Sequence, residues 1–313
     1  MNHPAVDLKA RSTRAVRAAV NAARALGLTV GEPVVLHDVF SVVVHLAPLR
    51  LVARVPMVIP PDLRGPALPE RQQRELDVVT WLAERGVPVV APSDLVPRAP
   101  AHHDGFWITF WELAELAEDH VPYGSVGSAT VVALHEALVT YPTDTIPFMS
   151  PVNMTVPTLL ESLTQTPELI SARHLDRARL EWEILNPVLG SRAGFEQRFP
   201  GFPVQAIHGD SPSHNVIRTV SGDRFADFED VTLGPIEWDL AMGSPDDIAD
   251  YTREASTRGV RAPDPEMLQV MNSARMLQLV ACLALVPELP LLEQGIAASM
   301  AAWDSMPLAG GLG

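Results

Sequence analysis

The chain has 313 residues, a formal charge of −15, 47% hydrophobic and 19% charged residues, the balance of a folded globular protein rather than a disordered or fibrous one. So much negative charge repels phosphodiester backbones and anionic lipid unless a basic face is segregated, which argues against nucleic acid or a membrane surface as partner. Lys9 is the only lysine, so a phosphate loop of the G-x-x-x-x-G-K-[ST] type is excluded and phosphate contacts fall to arginine, backbone amides or metal.

Residues 8–28, "LKARSTRAVRAAVNAARALGL", repeat Val16, Val20 and Ala23 at helical spacing and predict an amphipathic helix. Its basic residues, Lys9, Arg11, Arg14, Arg17 and Arg24, read as a solvated face. Residues 33–55, "PVVLHDVFSVVVHLAPLRLVARV", are rich in Val and Leu with breaks near Asp38 and at residues 47–50, and predict three short strands. After a proline-punctuated loop, "PERQQRELDVVTWLAERG" (69–86) predicts a helix with Leu76, Val79 and Leu82 on one face and Gly86 as its stop. Residues 87–92, "VPVVAP", and 105–113, "GFWITFWEL", read as further strands.

From about residue 120 helical spacing takes over, in residues 127–138, 155–163, 170–190 and 265–286, each bounded by Pro or Gly. The exceptions are the brief apolar steps "VQAIHG" (204–209) and "RFADFED" (224–230). Two unequal parts are expected, residues 1–112 and 113–313, because a chain of this length is long for one simple domain. The apolar run at 276–286 carries Gln278 and is closed by Pro287, so it reads as a buried helix. Cys282 has no cysteine to pair with and no secretory leader is visible, which fits a reducing cytoplasm.

The chemistry concentrates in "HGDSPSHN" (208–215). His208, Asp210 and His214 could ligate zinc or iron. Alternatively, Ser211, Ser213 and Asn215 could satisfy a turn. Phosphoryl transfer supplies a third reading, since it needs an acceptor-orienting carboxylate and oxygen ligands for a divalent cation, and Asp210, Asn215 and Asp227 offer that set.

"HGDSPSHNVI" followed by "FADFEDVTLGPIEWDLA" resembles the aminoglycoside phosphotransferase and choline kinase-like family. The resemblance implies an α+β, bilobal protein-kinase-like fold, with a small antiparallel-sheet lobe and a larger helical lobe. It implies a small-molecule kinase that uses ATP and Mg2+ to phosphorylate a hydroxyl of an aminoglycoside, another antibiotic, an amino sugar or a related metabolite. By the same resemblance Asp210 is catalytic, Asn215 and Asp227 hold the metal, and His208 and Asp239 support the loop. Upstream, Arg54 in "VARV" takes the place of the basic residue facing the nucleotide phosphates, paired with Glu75. The linker backbone of Phe110, Trp111, Glu112 and Leu113 stands where adenine would bind. The sequence departs from the family in three ways: arginine replaces the usual lysine, the turn after the first strand has no glycine, leaving Ser41 as its phosphate donor, and Pro212, Ser213 and His214 replace the histidine, proline and glycine often found in the catalytic loop. These departures leave open a degenerate relative that binds nucleotide or metabolite without turnover.

Glu229 and Asp230 read as ligands of a second metal or as solvated acids, and His135 as a core or loop hydrogen-bonding group. Trp107 and Trp111 read as packing at the lobe junction. The acidic runs Glu112, Glu115, Glu118, Asp119 and Asp246, Asp247, Asp250 read as solvated faces rather than a polycation site.

Overall fold

The computed structural model describes residues 8–312. Helix α1 (Leu8–Ala25) leads into strands β1 (Val34–Asp38), β2 (Ser41–His45) and β3 (Leu51–Pro56), followed by helix α2 (Ala67–Glu84) and the hairpin β4 (Ala101–His103) and β5 (Phe106–Glu112). The five strands form one antiparallel sheet in the order β1-β2-β3-β5-β4.

Alternation along the strands decides what each face meets. Val42, Val44, Leu51, Ala53, Val55, Ile108 and Phe110 pack with the small face of α1, where Ala15, Ala18, Ala19, Ala22 and Ala23 allow close approach. Val52 and Trp111 point the other way and pack with Leu76, Val79 and Leu82 of α2. Arg54 lies between Ala53 and Val55 in sequence, so the same alternation turns it toward α2.

The second part contains α3 (Ala129–Leu138), the one-turn α4 (Ser150–Asn153), α5 (Val156–Thr164), α6 (Ala172–Leu189) and α7 (Arg192–Arg198). The ribbons β6 (Gln205–Ile207) with β9 (Thr232–Gly234) and β7 (Val216–Thr219) with β8 (Gly222–Phe225) interrupt the helices, which resume as α8 (Pro245–Arg258), α9 (Pro265–Ala281) and α10 (Leu292–Ser305). Residues 265–285 are long and apolar enough to cross a membrane by length and composition, but 56% of their most apolar stretch is buried inside the protein.

Four expectations change. Residues 87–92 form no strand: Pro88 and Pro92 cannot donate to a ladder, and only isolated bridges form, Val89 to Phe225 and Pro92 to Trp111. A short β4 stands instead on the far side of Asp104-Gly105, both with positive φ. Arg11 is buried rather than solvated, 3.8 Å from Asp38 and donating to the Glu288 carbonyl. Trp107 stacks on His102 within the β4–β5 hairpin instead of packing at the junction, whereas Trp111 is buried where sheet, α2 and the β7–β8 ribbon meet.

The loop after β3 crosses to the helical part. Val58 joins its core, Thr158 donates to Asp62, and Arg64 lies 3.0 Å from Glu288.

Candidate active site

Three backbone devices bring the polar residues of the second part together. Gly209 has φ 89°, and a Cβ there would lie 1.8 Å from the Asp230 carbonyl oxygen, so only glycine lets the two loops touch. Asp239, buried beneath them, accepts the His208 and Gly209 amides, each at 2.8 Å, and lies 3.0 Å from His135 Nε2. Tyr251 holds the other nitrogen of His135 at 2.8 Å, and Trp238 Nε1 donates to the Gly209 carbonyl at 2.7 Å. Burial alone would raise the Asp239 pKa, but the His135 hydrogen bond, the neighbouring imidazoles and the Gly209 amide outweigh it and hold the carboxyl below its usual range.

His208 is fully buried, with Nε2 on the Ala226 carbonyl at 2.9 Å and Nδ1 accepting the Asp210 amide at 3.3 Å. Both ring nitrogens are engaged, which fixes the proton on Nε2 and leaves neither lone pair for a metal. Among the described residues no group of three or more His, Cys, Asp or Glu side chains is placed to hold a metal ion by itself, so His208, Asp210 and His214 are not gathered as a ligand set. Asp210 opens nearly half of its side chain to the cleft, with Asn215 Nδ2 3.2 Å from Oδ2. With its amide nitrogen turned to the loop, Asn215 presents its carbonyl oxygen elsewhere. Asp227 sits at φ 63°, ψ 53°, a left-handed conformation that non-glycine residues seldom adopt and that active sites often hold.

Arg54 reaches into this group from β3. Its Nη1 is bonded to both oxygens of Glu75, at 2.7 and 3.0 Å, and its Nη2 to Asp227 at 2.8 Å and to Glu229. Arg71, one helical turn before Glu75, holds Asp230 at 2.6 Å and Glu229 at 3.4 Å. Burial disfavours the charges on Arg54 and Arg71, but the surrounding carboxylates outweigh it and push both pKa values up. Glu229, flanked by both guanidiniums, is drawn below its ordinary value despite its burial. For Glu75 burial dominates the pull of Arg54 and raises it to about 8, and for Asp227 burial, with Glu229 and Asp210 adding repulsion, raises it to about 6.

Five carboxylates (Glu75, Asp210, Asp227, Glu229, Asp230) thus face three guanidiniums (Arg54, Arg71, Arg275). The excess of negative charge, with the hard oxygen donors of Asn215 and Asp227, fits a divalent cation such as magnesium.

Beside this group lies a cavity of about 430 Å³ lined by Val52, Val79, Val90, Trp111 and Phe228 on its apolar walls and by Arg54, Glu75, Asn215 and Asp227 at its polar end. Trp111, Glu112 and Leu113 line it, whereas the Phe110 side chain packs on the α1 face of the sheet. The Leu113 amide donates to Arg50 O at 3.2 Å and its carbonyl accepts from Arg50 Nη2 at 3.2 Å. Ser41 is buried opposite Pro56 and does not line the cavity. His37 does, re-aimed by a register shift between Val35 and His37, and Tyr123 meets it across the opening.

Arg71, Arg275, His37 and Tyr123 were not signalled by the sequence as site residues. The acidic runs are engaged at the surface: Asp119 pairs with Arg218, Asp247 caps α8 and Asp250 pairs with Arg253.

No curated protein matches the chain. Solved structures do. A choline/ethanolamine kinase family protein from Mesorhizobium loti is 17% identical, covers 96% of this chain and 98% of its own, and superposes with a TM-score of 0.59. An amicoumacin kinase in complex with AMP-PNP, Ca2+ and its antibiotic is 12% identical over 96% of this chain and 97% of its own, with a TM-score of 0.58. The GDP complex of wild-type aminoglycoside 2'-phosphotransferase-IIIa is 14% identical over 94% and 99%, with a TM-score of 0.56. At such identities the likeness is one of fold, a bilobal kinase-like architecture. Residues 50–267, well over half of the sequence, match the model of the APH phosphotransferase enzyme family, and the chain belongs to that family.

Proposed function

We propose that the protein transfers the terminal phosphoryl group of ATP to a hydroxyl of a small molecule, in the cleft between a nucleotide-binding lobe (residues 1–112) and a helical lobe (residues 113–313). The observation that carries the reading is the convergence of Asn215 and Asp227 with Arg54 at the polar end of one apolar cavity, with Asp210 beside them, 3.2 Å from Asn215 Nδ2. Adenine would enter between Val52, Trp111 and Phe228, beside the linker backbone. Arg54, braced by Glu75, would present its guanidinium to the phosphates as a fork rather than a point charge. His37 stands where the glycine-free turn offers no close backbone approach.

Asn215 and Asp227 would hold the magnesium ion, which supplies the positive charge that phosphoryl transfer requires. Asp210 would orient the acceptor hydroxyl and take its proton late in the transfer, a task that needs position more than a raised pKa. His208 and Asp239 would keep the loop in register from below. The family membership, the related kinases solved with nucleotides and the intact Asp210, Asn215 and Asp227 favour turnover over a binding-only relative.

The partly paired acidic runs single out no polycationic acceptor, and an aminoglycoside, another antibiotic, an amino sugar or a related alcohol all fit this reading. Cytoplasmic action follows from the need for ATP. The test is a panel of hydroxylated compounds with ATP and magnesium, read by ADP release and by mass gain of one phosphoryl group, with D210N as control. Turnover that survives in D210N, or none with any acceptor while ATP still binds, rejects the kinase reading in favour of another base or of a binding protein.

A further inference from the structure

Arg275, in the middle of α9, is the one charged side chain among Ser273, Ala274, Met276 and Leu277, all buried. Its Nη1 lies 3.3 Å from Asp210 Oδ1 and 3.1 Å from Gln278 Oε1, and its Nη2 is 3.1 Å from the Gly209 carbonyl. The guanidinium stacks 3.9 Å from the Trp238 ring, and 11% of the side chain is exposed. Asn215 Nδ2 holds the other oxygen of Asp210. The two carboxylate oxygens are therefore gripped from different elements, the loop carrying Asn215 and helix α9.

The stability of the fold does not account for a guanidinium here. Its Nε is buried without a hydrogen-bond partner, a placement that costs folding energy. The Gly209 carbonyl would stay satisfied without Arg275, because Trp238 Nε1 already donates to it. A methionine would fill the same groove over Trp238 with no unsatisfied donor. A buried donor left unpaired calls for an explanation other than stability.

We infer that Arg275 is a positioning residue for phosphoryl transfer: it fixes the rotamer of Asp210, so that one carboxylate oxygen faces the acceptor hydroxyl, and offsets the negative charge of the adjoining acids. The inference rests on the reading of Asp210 as the acceptor-orienting group. Arg275 touches neither nucleotide-cavity wall nor metal donors, so its removal acts on the turnover step and not on nucleotide capture.

The experiment compares R275M, R275K and D210N in the full chain with ATP, magnesium and an acceptor identified by the panel above. R275M keeps the melting temperature and the KM for ATP within about two-fold, while kcat falls about 10- to 100-fold, the scale of a misplaced catalytic group. R275K, which keeps the charge but not the fork, recovers part of that loss. A kcat for R275M within two-fold of the parent overturns the inference. So does a loss shared equally by R275M and R275K together with lowered melting temperature and weakened ATP binding, because that pattern marks a structural role. Full activity in D210N would reject the underlying reading of Asp210 instead, whatever the Arg275 variants do.

Discussion

Tyr123 Oη lies 2.7 Å from His37 Nε2, joining the end of β1 to the segment after β5 across the mouth of the nucleotide cavity. The rings meet edge to face at 5.7 Å, and Tyr123 holds φ at 60° although it is not glycine. If ATP occupies the cavity as proposed, a clasp of this kind would close over it where the glycine-free turn offers no close backbone approach. One neutral hydrogen bond contributes about 0.5–1.5 kcal/mol. Y123F should therefore weaken ATP binding by roughly two- to twelve-fold, with kcat at saturation unchanged, as measured by calorimetric titration alongside steady-state kinetics.

On the proposed reading, Arg54 and a divalent cation would compete for Asp227. With Nη2 of Arg54 2.8 Å from the carboxylate, magnesium alone would have to displace an ion pair, whereas a nucleotide would offer the guanidinium other oxygens. Magnesium and ATP should bind cooperatively, each tightening the other by about 5- to 150-fold. Titrations of metal with and without a non-hydrolysable ATP analogue measure this coupling. R54M should reduce the coupling and raise the KM for ATP.

Asp239 couples the site to pH. Its pKa is depressed in the fold, so its contribution to stability is complete above the unfolded carboxylate range and is lost as pH falls through the lower folded value. Acid unfolding of the parent should therefore steepen below about pH 4, and D239N should flatten that limb while lowering stability at neutral pH by roughly 3–5 kcal/mol, the cost of breaking a buried charge-assisted set. Denaturant melts across pH values read both effects.

Gly209 permits no side chain. A methyl group placed 1.8 Å from the Asp230 carbonyl must push the 208–215 loop and the 227–230 turn apart. G209A should lose about 100-fold or more in kcat while retaining nucleotide binding, since the cavity walls lie elsewhere, and a fluorescent ATP analogue would show the retained binding.

Much of this site was readable because its key residues are close in sequence. Asp210, Asn215 and Asp227 lie within eighteen consecutive positions, and one hairpin, β7–β8, brings them together. Arg54 and Glu75 were legible only through the resemblance of "VARV" and the following helix to the family pattern. Arg275 and Arg71 were hidden for the opposite reason, since their partners are 65 and 159 positions away and nothing local marks them. A lone arginine in the apolar run of α9 was the available signal. Strand β4 carried a signal too: Asp104-Gly105, both left-handed, is the dipeptide that tight hairpins favour. The apolar residues 87–92 misled because valine content suggests a strand whatever the neighbouring prolines forbid. Ser41 was chosen for its hydroxyl; it shares the sheet face of Val43 and Arg54 but is buried opposite Pro56, and His37 lines the cavity instead.

The segment from Val58 to Arg64 acts as a mooring line between the two halves of the molecule. Seated in the far core at Val58, and tied again at Thr158 and Glu288, it limits how wide the jaws can swing on the side away from the linker.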